Sequence, residues 1–456
     1  MTDYLDKIDN YLHKLFPICR SLTGMGNRET LQVLQEIAPL KILEYPSNTH
    51  VYDWVVPREW EIRDGYIKNS RGETIVDFRQ NNLHVMGYSQ PIRKEMVWED
   101  LEPHLYSLQD LPEAIPYRTA YYKEDWGFCL TCSQYESLEN DRGPFEVVID
   151  SCFKNGSLTI GELLIKGEKT QEVLISTYIC HPSLANDNLS GMVLTAFLAK
   201  ELLSRKKLNR SYRIIFVPET IGAIAYCAMN EKAMRKIEAG LVVATVGGPG
   251  SLGYKQSFNK DHYINRLIEE VFIDGEHDFV TYPFDIHGSD ERQYSSPGFR
   301  INTATICKDK YYEYPGYHNS FDNLDFVKAE YIHQSLGIYL KLIDKIEKQD
   351  SLYDEKLENT EYQSGSQKNY FLNRNPNCEV MLSRHGLYPD IGGDLLPGEN
   401  NRSRLDMILW LLFFCDGSRA IEEISRYINV PLNELNMVAT LLEEKGLLSR
   451  VSCPQP

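Results

Sequence analysis

The pattern of hydrophobic and polar positions divides the 456-residue chain into regions of different texture. Residues 3–40 carry two amphipathic helical patterns around a polar turn, whereas 44–106 carries short alternating runs between turn residues, which predict β-hairpins. From about 107 to 345, short continuous apolar runs alternate with helical patterns. Such runs are typical of strands buried on both faces of a sheet. We therefore predict an α/β domain formed by 1–43 and 107–345, with a β-rich domain inserted at 44–106.

Five runs rich in branched aliphatic residues are the predicted strands of a mixed sheet flanked by helices: 145–150, 157–165, 172–179, 212–217 and 240–246. Insertions into such folds often fall in loops near the functional site. We therefore expect the β-rich domain near the mouth of the site, where Trp54, Trp60 and His84 could reach a pocket.

The composition changes again at 346–372, where repeated Glu, Asp, Gln, Ser and Lys predict a linker. Residues 373–456 then carry three helical patterns followed by a strand, the order of a winged helix. The third helical pattern, 431–445, holds Glu434, Glu443 and Glu444 against one Lys. A helix that reads DNA instead presents Arg, Lys, Asn or Gln to bases and phosphates. We expect this domain to pack or to bind a protein partner, including a second copy of the chain.

Charge and cysteine content exclude several classes of protein. The 65 acidic and 48 basic residues give a net charge of −17, which disfavours nucleic acid and suits an amine-bearing ligand. The ten cysteines lie mostly in apolar runs, and the pair Cys129 and Cys132 has no second C-x-x-C for a structural zinc. The first residues lack a signal-peptide pattern, and the longest apolar run is too short to span a bilayer. We expect a cytoplasmic protein without a membrane partner.

Two predicted strands are followed by groups able to take part in metal chemistry. The strand at 172–179 is followed by His181, and Asp187 lies in the next loop, just before a helix. Ligands in open α/β sheets gather beyond the carboxyl ends of the strands, and imidazole and carboxylate are both zinc ligands. The alternative interpretation of Asp187 is a polar loop with a helix cap.

Two further residues extend this set. Glu219 follows the strand at 212–217 and precedes an apolar run, so burying it without a partner would be costly. His318 lies in the aromatic-rich loop 311–322, and pocket walls are commonly aromatic. The alternative for His318 is a packed surface histidine.

The order of these motifs resembles that of the di-zinc aminopeptidase and glutamate-carboxypeptidase clan over about 107–345. The motif Asp187-Asn-Leu-Ser-Gly191 matches the clan's bridging Asp, and the other matching positions are His181, Glu219, Ser289-Asp290 and His318. The whole chain is similar to a bacterial aminopeptidase-like family with an inserted β-rich domain and a C-terminal winged helix, often labelled as polysaccharide-biosynthesis proteins. The landmarks of this similarity are 18–24 and 126–129. The resemblance implies a zinc-exopeptidase fold of the phosphorylase/hydrolase-like kind.

The chain departs from the clan pattern at four places. Ser183 stands where the clan has an Asp that supports its first His, and Thr220 stands where a second Glu would bind a metal. The segment 242–248 lacks a further Asp ligand, and Glu291 replaces the His that follows Ser-Asp. Two metal ions close together need several anionic oxygens, so the resemblance with these losses implies one zinc, with two as the alternative.

The resemblance also implies a role for each matching residue. His181, Asp187 and His318 are the expected zinc ligands, and Glu219 is the expected catalytic base. The expected substrate-binding residues are Asp290, Arg292, Tyr312 and Tyr317. The predicted function is a zinc-dependent aminopeptidase-like hydrolase that cleaves a peptide or amide bond with metal-activated water. The alternative is a catalytically degenerate peptidase fold that binds a peptide or an amine-bearing ligand.

Overall fold

The computed structural model describes residues 2–349, 369–388 and 403–451. Its helices, in chain order, are α1 Thr2–Leu15, α2 Met25–Leu34, α3 Trp98–Leu101, α4 Cys132–Asp141, α5 Gly191–Ser204, α6 Ile221–Met229, α7 Glu231–Met234, α8 Tyr263–Asp274, α9 Glu291–Tyr294, α10 Ala329–Glu347, α11 Arg404–Phe414, α12 Ile421–Ile428 and α13 Leu432–Glu444. None of the described helices is long and apolar enough to cross a membrane.

The strands, also in chain order, are β1 Lys41–Pro46, β2 His50–Val51, β3 Trp54–Val55, β4 Glu59–Lys68, β5 Thr74–Asp77, β6 Ile92–Met96, β7 Leu105–Tyr106, β8 Phe128–Cys129, β9 Phe145–Lys154, β10 Ser157–Ile165, β11 Glu172–Tyr178, β12 Ser211–Val217, β13 Ile237–Val243, β14 Leu252–Lys255, β15 Phe279–Tyr282, β16 Asn302–Lys308, β17 Tyr370–Asn373, β18 Asp416–Ala420 and β19 Leu448–Val451.

The largest sheet has eight strands in the order β1-β10-β12-β11-β13-β16-β14-β15. The central strands β12, β11, β13 and β16 are parallel. Strands β1 and β10 pair antiparallel with their neighbours, and β14 pairs antiparallel with β16 and parallel with β15. Every residue of β11 and β12 is buried, which is why each strand carries a continuous apolar run, 173–175 and 214–217, rather than an alternating pattern. The predicted mixed sheet with a parallel core is confirmed.

Two apolar cores cover the two faces of this sheet. Along β12, Ile214 and Phe216 enter the core shared with α1, α2, α5, α8 and α10, whereas Ile215 and Val217 enter the core shared with α6. Successive side chains of a strand point to opposite faces, so one strand supplies both cores. This two-sided packing fixes the loops that follow β11 and β12.

A second sheet, in the order β5-β4-β9-β6, forms most of the β-rich part of the molecule. The run 145–150, expected in the main sheet, instead lies in β9 and pairs with β4 and β6. Val147, Val148 and Ile149 are all buried there, so their run has the same pattern as a central strand of the main sheet. The β-rich sheet therefore includes a strand that lies outside the predicted insertion 44–106. Strand β1 spans the predicted start of the insertion at residue 44, but it pairs within the main sheet.

The C-terminal part contains α11, α12 and α13 with the three-stranded sheet β18-β17-β19. The three helices lie where the helical patterns predict them, and β19 is the strand expected after them. Most of the expected linker, from 350 to 368, lies outside the described residues.

Candidate active site

The loops that follow β11 and β12 bring the candidate groups to one edge of the main sheet. The two strands are parallel neighbours, and Tyr178 at the end of β11 is in register with Val217 at the end of β12. His181 follows β11 by three residues and Glu219 follows β12 by two, so both side chains lie at the same edge. His181 Nε2 is 3.9 Å from Glu219 Oε2.

Three of the predicted residues form a compact group of donor atoms. The side chains of His181, Asp187 and His318 each place a donor atom within 4.8 Å of the others. Asp187 Oδ2 lies 4.0 Å from His181 Nε2 and 3.2 Å from His318 Nε2. Donors around one tetrahedral zinc ion lie about 3.3 Å apart, because its bonds are about 2.0–2.2 Å long. The chemistry and spacing of this set fit a zinc ion.

The ionisation of these groups also suits a metal. Burial lowers the pKa of His181 to about 4, which keeps the imidazole neutral with a free lone pair at neutral pH. Burial alone would raise the pKa of Asp187, but His181 and His318 outweigh that effect and lower it to about 2. The Tyr178 hydroxyl donates to Asp187 Oδ1 and leaves Oδ2 to face the two imidazoles.

Asp322 holds the loop that carries Asp187, a role that the motif pattern did not reveal. Its Oδ1 accepts from the backbone N–H of Asn186 at 2.5 Å, and its Oδ2 accepts from that of Asp187 at 2.8 Å. The Tyr314 hydroxyl donates to the same Oδ2 at 3.0 Å. Asp322 is the last residue of the aromatic-rich loop 311–322 that carries His318. Its position in that loop was the one sequence feature that could have indicated this role.

The support of His181 differs from the clan pattern. Ser183 does not reach the imidazole, since its Oγ accepts from Asn82 Nδ2 at 2.9 Å and donates to the carbonyl of Phe16. The buried Arg20 instead donates through Nε to the backbone carbonyl of His181 at 2.9 Å. Arg20 belongs to the landmark segment 18–24, and its contact gives that segment a place in the site.

Glu219 lies beside the donor group and has its own polar contacts. Its Oε1 accepts from Ser289 Oγ at 2.7 Å. Burial, followed by the charge of Asp187, raises the pKa of Glu219 to about 7. A carboxylate with such a pKa is matched to proton transfer near neutral pH.

The residue that replaces the clan's second Glu is bound through its backbone to Asp290. Thr220 has φ of 62° and donates its backbone N–H to Asp290 Oδ1 at 2.7 Å. Asp290 is only 1% exposed, and burial raises its pKa well above the usual range. Asp290, predicted to bind substrate, holds the turn at Thr220 that follows Glu219.

Cys180 offers a second group of donor atoms, together with His181 and Glu219. Burial raises the pKa of the Cys180 thiol well above its ordinary value, so its thiolate is disfavoured. Its Sγ accepts from the backbone N–H of Glu219 at 3.2 Å, which holds the backbone at Glu219 in place. The group of His181, Asp187 and His318 suits a metal better.

Aromatic side chains build the wall next to His318. Tyr317 stacks on the His318 ring with centroids 3.9 Å apart, and Tyr312 contacts Tyr317 at 4.9 Å. Tyr117, from the segment before β8, contacts both imidazoles, at 5.1 Å from His181 and 5.3 Å from His318. Tyr312 and Tyr317, predicted to line the substrate pocket, thus lie beside His318, and Tyr117 adds a third ring there.

Arg292 and the β-rich part meet at the other side of the site. Arg292 donates through Nε to the carbonyl of Ser289, and its Nη1 pairs with Glu379 at 3.1 Å. Trp54 reaches this place, since its Nε1 donates to the backbone carbonyl of Glu379. Trp60 and His84 do not, because each is buried against the β-rich part, with Trp60 stacked on Tyr88 and His84 bound to the carbonyl of Cys129.

The fold and site define a class of protein with the zinc-exopeptidase fold, related to the aminopeptidases. A zinc aminopeptidase from Bacillus subtilis shares this fold with a TM-score of 0.55, at 13% identity over 76% of this chain and 95% of its own. Residues 9–349 match the family described as a domain of unknown function, DUF4910, and 369–450 match a winged helix-turn-helix family. The chain belongs to the DUF4910 family.

A Clostridium acetobutylicum relative matches over almost the whole chain. It is described as a polysaccharide biosynthesis protein with an aminopeptidase-like domain, and it is 39% identical over 445 residues, which cover 98% of this chain and 96% of its own. A crystal structure of a protein from the same organism, described as a peptidase, has a TM-score of 0.73 at 38% identity, with coverage of 98% and 96%. The resemblance seen in the motifs and the combination of a peptidase-like domain with a winged helix are confirmed.

Proposed function

We propose that this protein is a zinc-dependent hydrolase that cleaves a peptide or amide bond, with His181, Asp187 and His318 as zinc ligands and Glu219 as the general base. The observation that carries the proposal is the convergence of two imidazoles and one carboxylate within 4.8 Å, with Glu219 3.9 Å from His181. The zinc aminopeptidase fold and the peptidase-like relative support it.

Each residue of the site has a defined task in this proposal. Zinc, when bound, would supply Lewis-acid polarisation of the scissile carbonyl and would lower the pKa of a water molecule. Glu219 takes the proton from the attacking water and gives it to the leaving nitrogen, as a carboxylate with a pKa of about 7 can do. Ser289 orients Glu219 through its 2.7 Å hydrogen bond, and Tyr312, Tyr317 and Arg292 flank the substrate.

Buried acidic groups outnumber cations around this site. Asp187, Asp290 and Asp322 are buried there and Glu219 is half-buried, whereas Arg292 acts on Glu219 and the buried Arg20 acts on His181. Burying carboxylates together is costly unless cations or protons compensate them. A divalent ion at Asp187 would relieve this imbalance, which supports the metal part of the proposal.

The second candidate is a binding protein on a peptidase fold that no longer hydrolyses its ligand. Thr220 in place of a carboxylate ligand, and the segment 242–248, which lacks the clan's Asp, favour it. Metal analysis of purified protein after zinc reconstitution, followed by screening of aminoacyl and acyl-amino-acid libraries, separates the two. Stoichiometric zinc with turnover supports the hydrolase, whereas absence of zinc and of turnover supports the binding protein.

A further inference from the structure

A chain segment that precedes the winged helix reaches the edge of the candidate active site. Residues 374–388 run between the main α/β part and the β2–β3 hairpin, and their backbone is bound from both sides. The N–H of Cys378 donates to Ser296 Oγ and that of Glu379 to Gln293 Oε1, both at 2.9 Å. On the other side, Asp53 accepts from the N–H of Met381 and from His385 Nε2 at 2.9 Å. Glu379 is therefore held in a fixed position.

The fixed carboxylate of Glu379 faces Arg292 next to the candidate base. Arg292 Nη1 lies 3.1 Å from Glu379 Oε2, and Nε donates to the carbonyl of Ser289 at 3.1 Å. The hydroxyl of Ser289 donates to Glu219, so Ser289 links Arg292 to the proposed base. These contacts engage Nε and Nη1 of Arg292, and its side chain keeps 21% of its surface exposed.

A small apolar cavity opens beside this pair. Arg292 and Glu379 line it together with apolar side chains from three parts of the chain: Phe284, Ile286, Val380, Leu409, Leu412 and Phe413. The centre of a water-sized sphere can move through about 50 Å³ of it. One water needs roughly 10–15 Å³ on this measure, so the cavity holds about four water-sized groups, the size of a short aliphatic side chain.

Arg292 is the one cation among the described residues that line this cavity. A guanidinium is suited to a planar carboxylate, which it binds more strongly than a neutral amide. A second carboxylate would share the guanidinium with Glu379, which neutralises Arg292 while no ligand is bound. The charge and shape of the cavity are thus complementary to a carboxylate attached to a small aliphatic group.

Building on the proposed hydrolase, we propose that Arg292 and the cavity form the recognition subsite for the leaving half of the substrate. The substrate class is then an amide of a small aliphatic amino acid that keeps its free carboxylate. That carboxylate binds Arg292 beside Glu379, and the aliphatic side chain enters the cavity. Glu379 is a specificity-determining residue that the C-terminal part of the chain contributes to the site.

The test is calorimetric titration of two ligands that differ only in charge, N-acetyl-L-valine and N-acetyl-L-valinamide. The full-length protein is reconstituted with zinc and carries Glu219→Gln, so that neither ligand is consumed. A hydrogen bond to a charged group predicts about ten- to hundredfold tighter binding of the acid. Arg292→Gln should reduce the acid-to-amide ratio to about twofold or less, and the matched control Arg266→Gln, in the exposed pair with Glu270, should preserve it.

Glu379→Gln gives a second readout that keeps Arg292 in place. Removal of the competing carboxylate should tighten binding of the acid severalfold and leave the amide unchanged. Equal affinity for acid and amide, binding of neither, a ratio preserved in Arg292→Gln, or no tightening in Glu379→Gln would overturn the subsite. Hydrolysis by the native protein is measured separately. Acid-selective binding without hydrolysis contradicts only the proposed function, and hydrolysis without acid selectivity contradicts only the subsite.

Discussion

His318 Nε2 lies 3.2 Å from Asp187 Oδ2, although the strands β12, β13, β14, β15 and β16 separate the two residues in the chain. Asp187 follows β11 near the centre of the main sheet, whereas His318 lies in the aromatic loop after β16. This contact completes the donor group of His181, Asp187 and His318. The proposed zinc site therefore depends on the correct assembly of the whole sheet.

The first prediction concerns the three proposed ligands. Alanine at His181, Asp187 or His318 removes one bond from the zinc, and each variant should lose stoichiometric metal in elemental analysis after reconstitution. Cys132→Ser is the control, because Cys132 lies in the C-x-x-C pair away from the group. Zinc lost only in the cysteine variant would show that the metal binds elsewhere.

A second prediction concerns Asp322, which accepts two backbone hydrogen bonds from the loop of Asp187. Asp322→Ala leaves all three ligands in place but frees this loop. Loss of such a supporting contact typically weakens metal binding about 10- to 100-fold. Competition with a chelator measures this change. Asp325→Ala, at a fully exposed position three residues after Asp322, should leave zinc affinity unchanged, and equal effects of the two variants would contradict the role of Asp322.

The buried carboxylate of Glu59 leads to a pH prediction. The hydrogen bond from Arg28, against the opposing effect of burial, lowers the pKa of Glu59 to about 2. A lowered folded-state pKa stabilises the protein above the unfolded-state pKa of about 4.3, and this stability is lost as pH falls toward the folded-state value. Glu59→Gln should therefore destabilise the protein at pH 7, and the difference should shrink between about pH 5 and pH 2.

Urea denaturation of the native and variant proteins across that range measures the effect. Glu73→Gln is the matched control, because Glu73 pairs with Arg71 at an exposed position where ion pairs contribute little. A difference between native protein and Glu59→Gln that stays constant with pH would contradict the assigned role of the Arg28–Glu59 pair.

The winged helix should not bind DNA. In α13 and after it, Glu434, Glu443 and Glu444 accompany a single Lys, and Arg450 of β19 is paired with Glu443 at 3.2 Å. A phosphate-binding surface needs unpaired cations. Fluorescence anisotropy of a labelled duplex with the full-length protein should show no binding. Binding that weakens as salt concentration rises would contradict this prediction.

The sequence was sufficient for the elements and for the residues next to strand ends. His181 and Glu219 follow strands whose continuous apolar pattern marks them as central, so both could be placed at one edge of a sheet. His318 and Thr220 could be named by motif order, but their conformations could not. Both have positive φ, of 56° and 62°, which depends on the packed surroundings rather than on local sequence preference.

The local sequence pattern could not predict contacts between segments that are far apart in the chain. Nothing in the periodicity around Glu379 indicates that it pairs with Arg292 or that Trp54 binds its carbonyl. Strand β9 was placed in the wrong sheet for a related reason, since three consecutive buried residues fit either sheet equally well. Hydrophobic pattern specifies that a strand is buried, whereas pairing partners are set by tertiary packing.

The central claim is that Glu219 is the base of a zinc hydrolase rather than a ligand of its metal. Glu219→Gln keeps the size of the side chain and its acceptor for Ser289 but removes the basic carboxylate. The measurement is zinc content and turnover of this variant beside the native protein. The account predicts stoichiometric zinc with turnover reduced about 10²- to 10⁴-fold. Full turnover, or loss of zinc as complete as in His181→Ala, would contradict it.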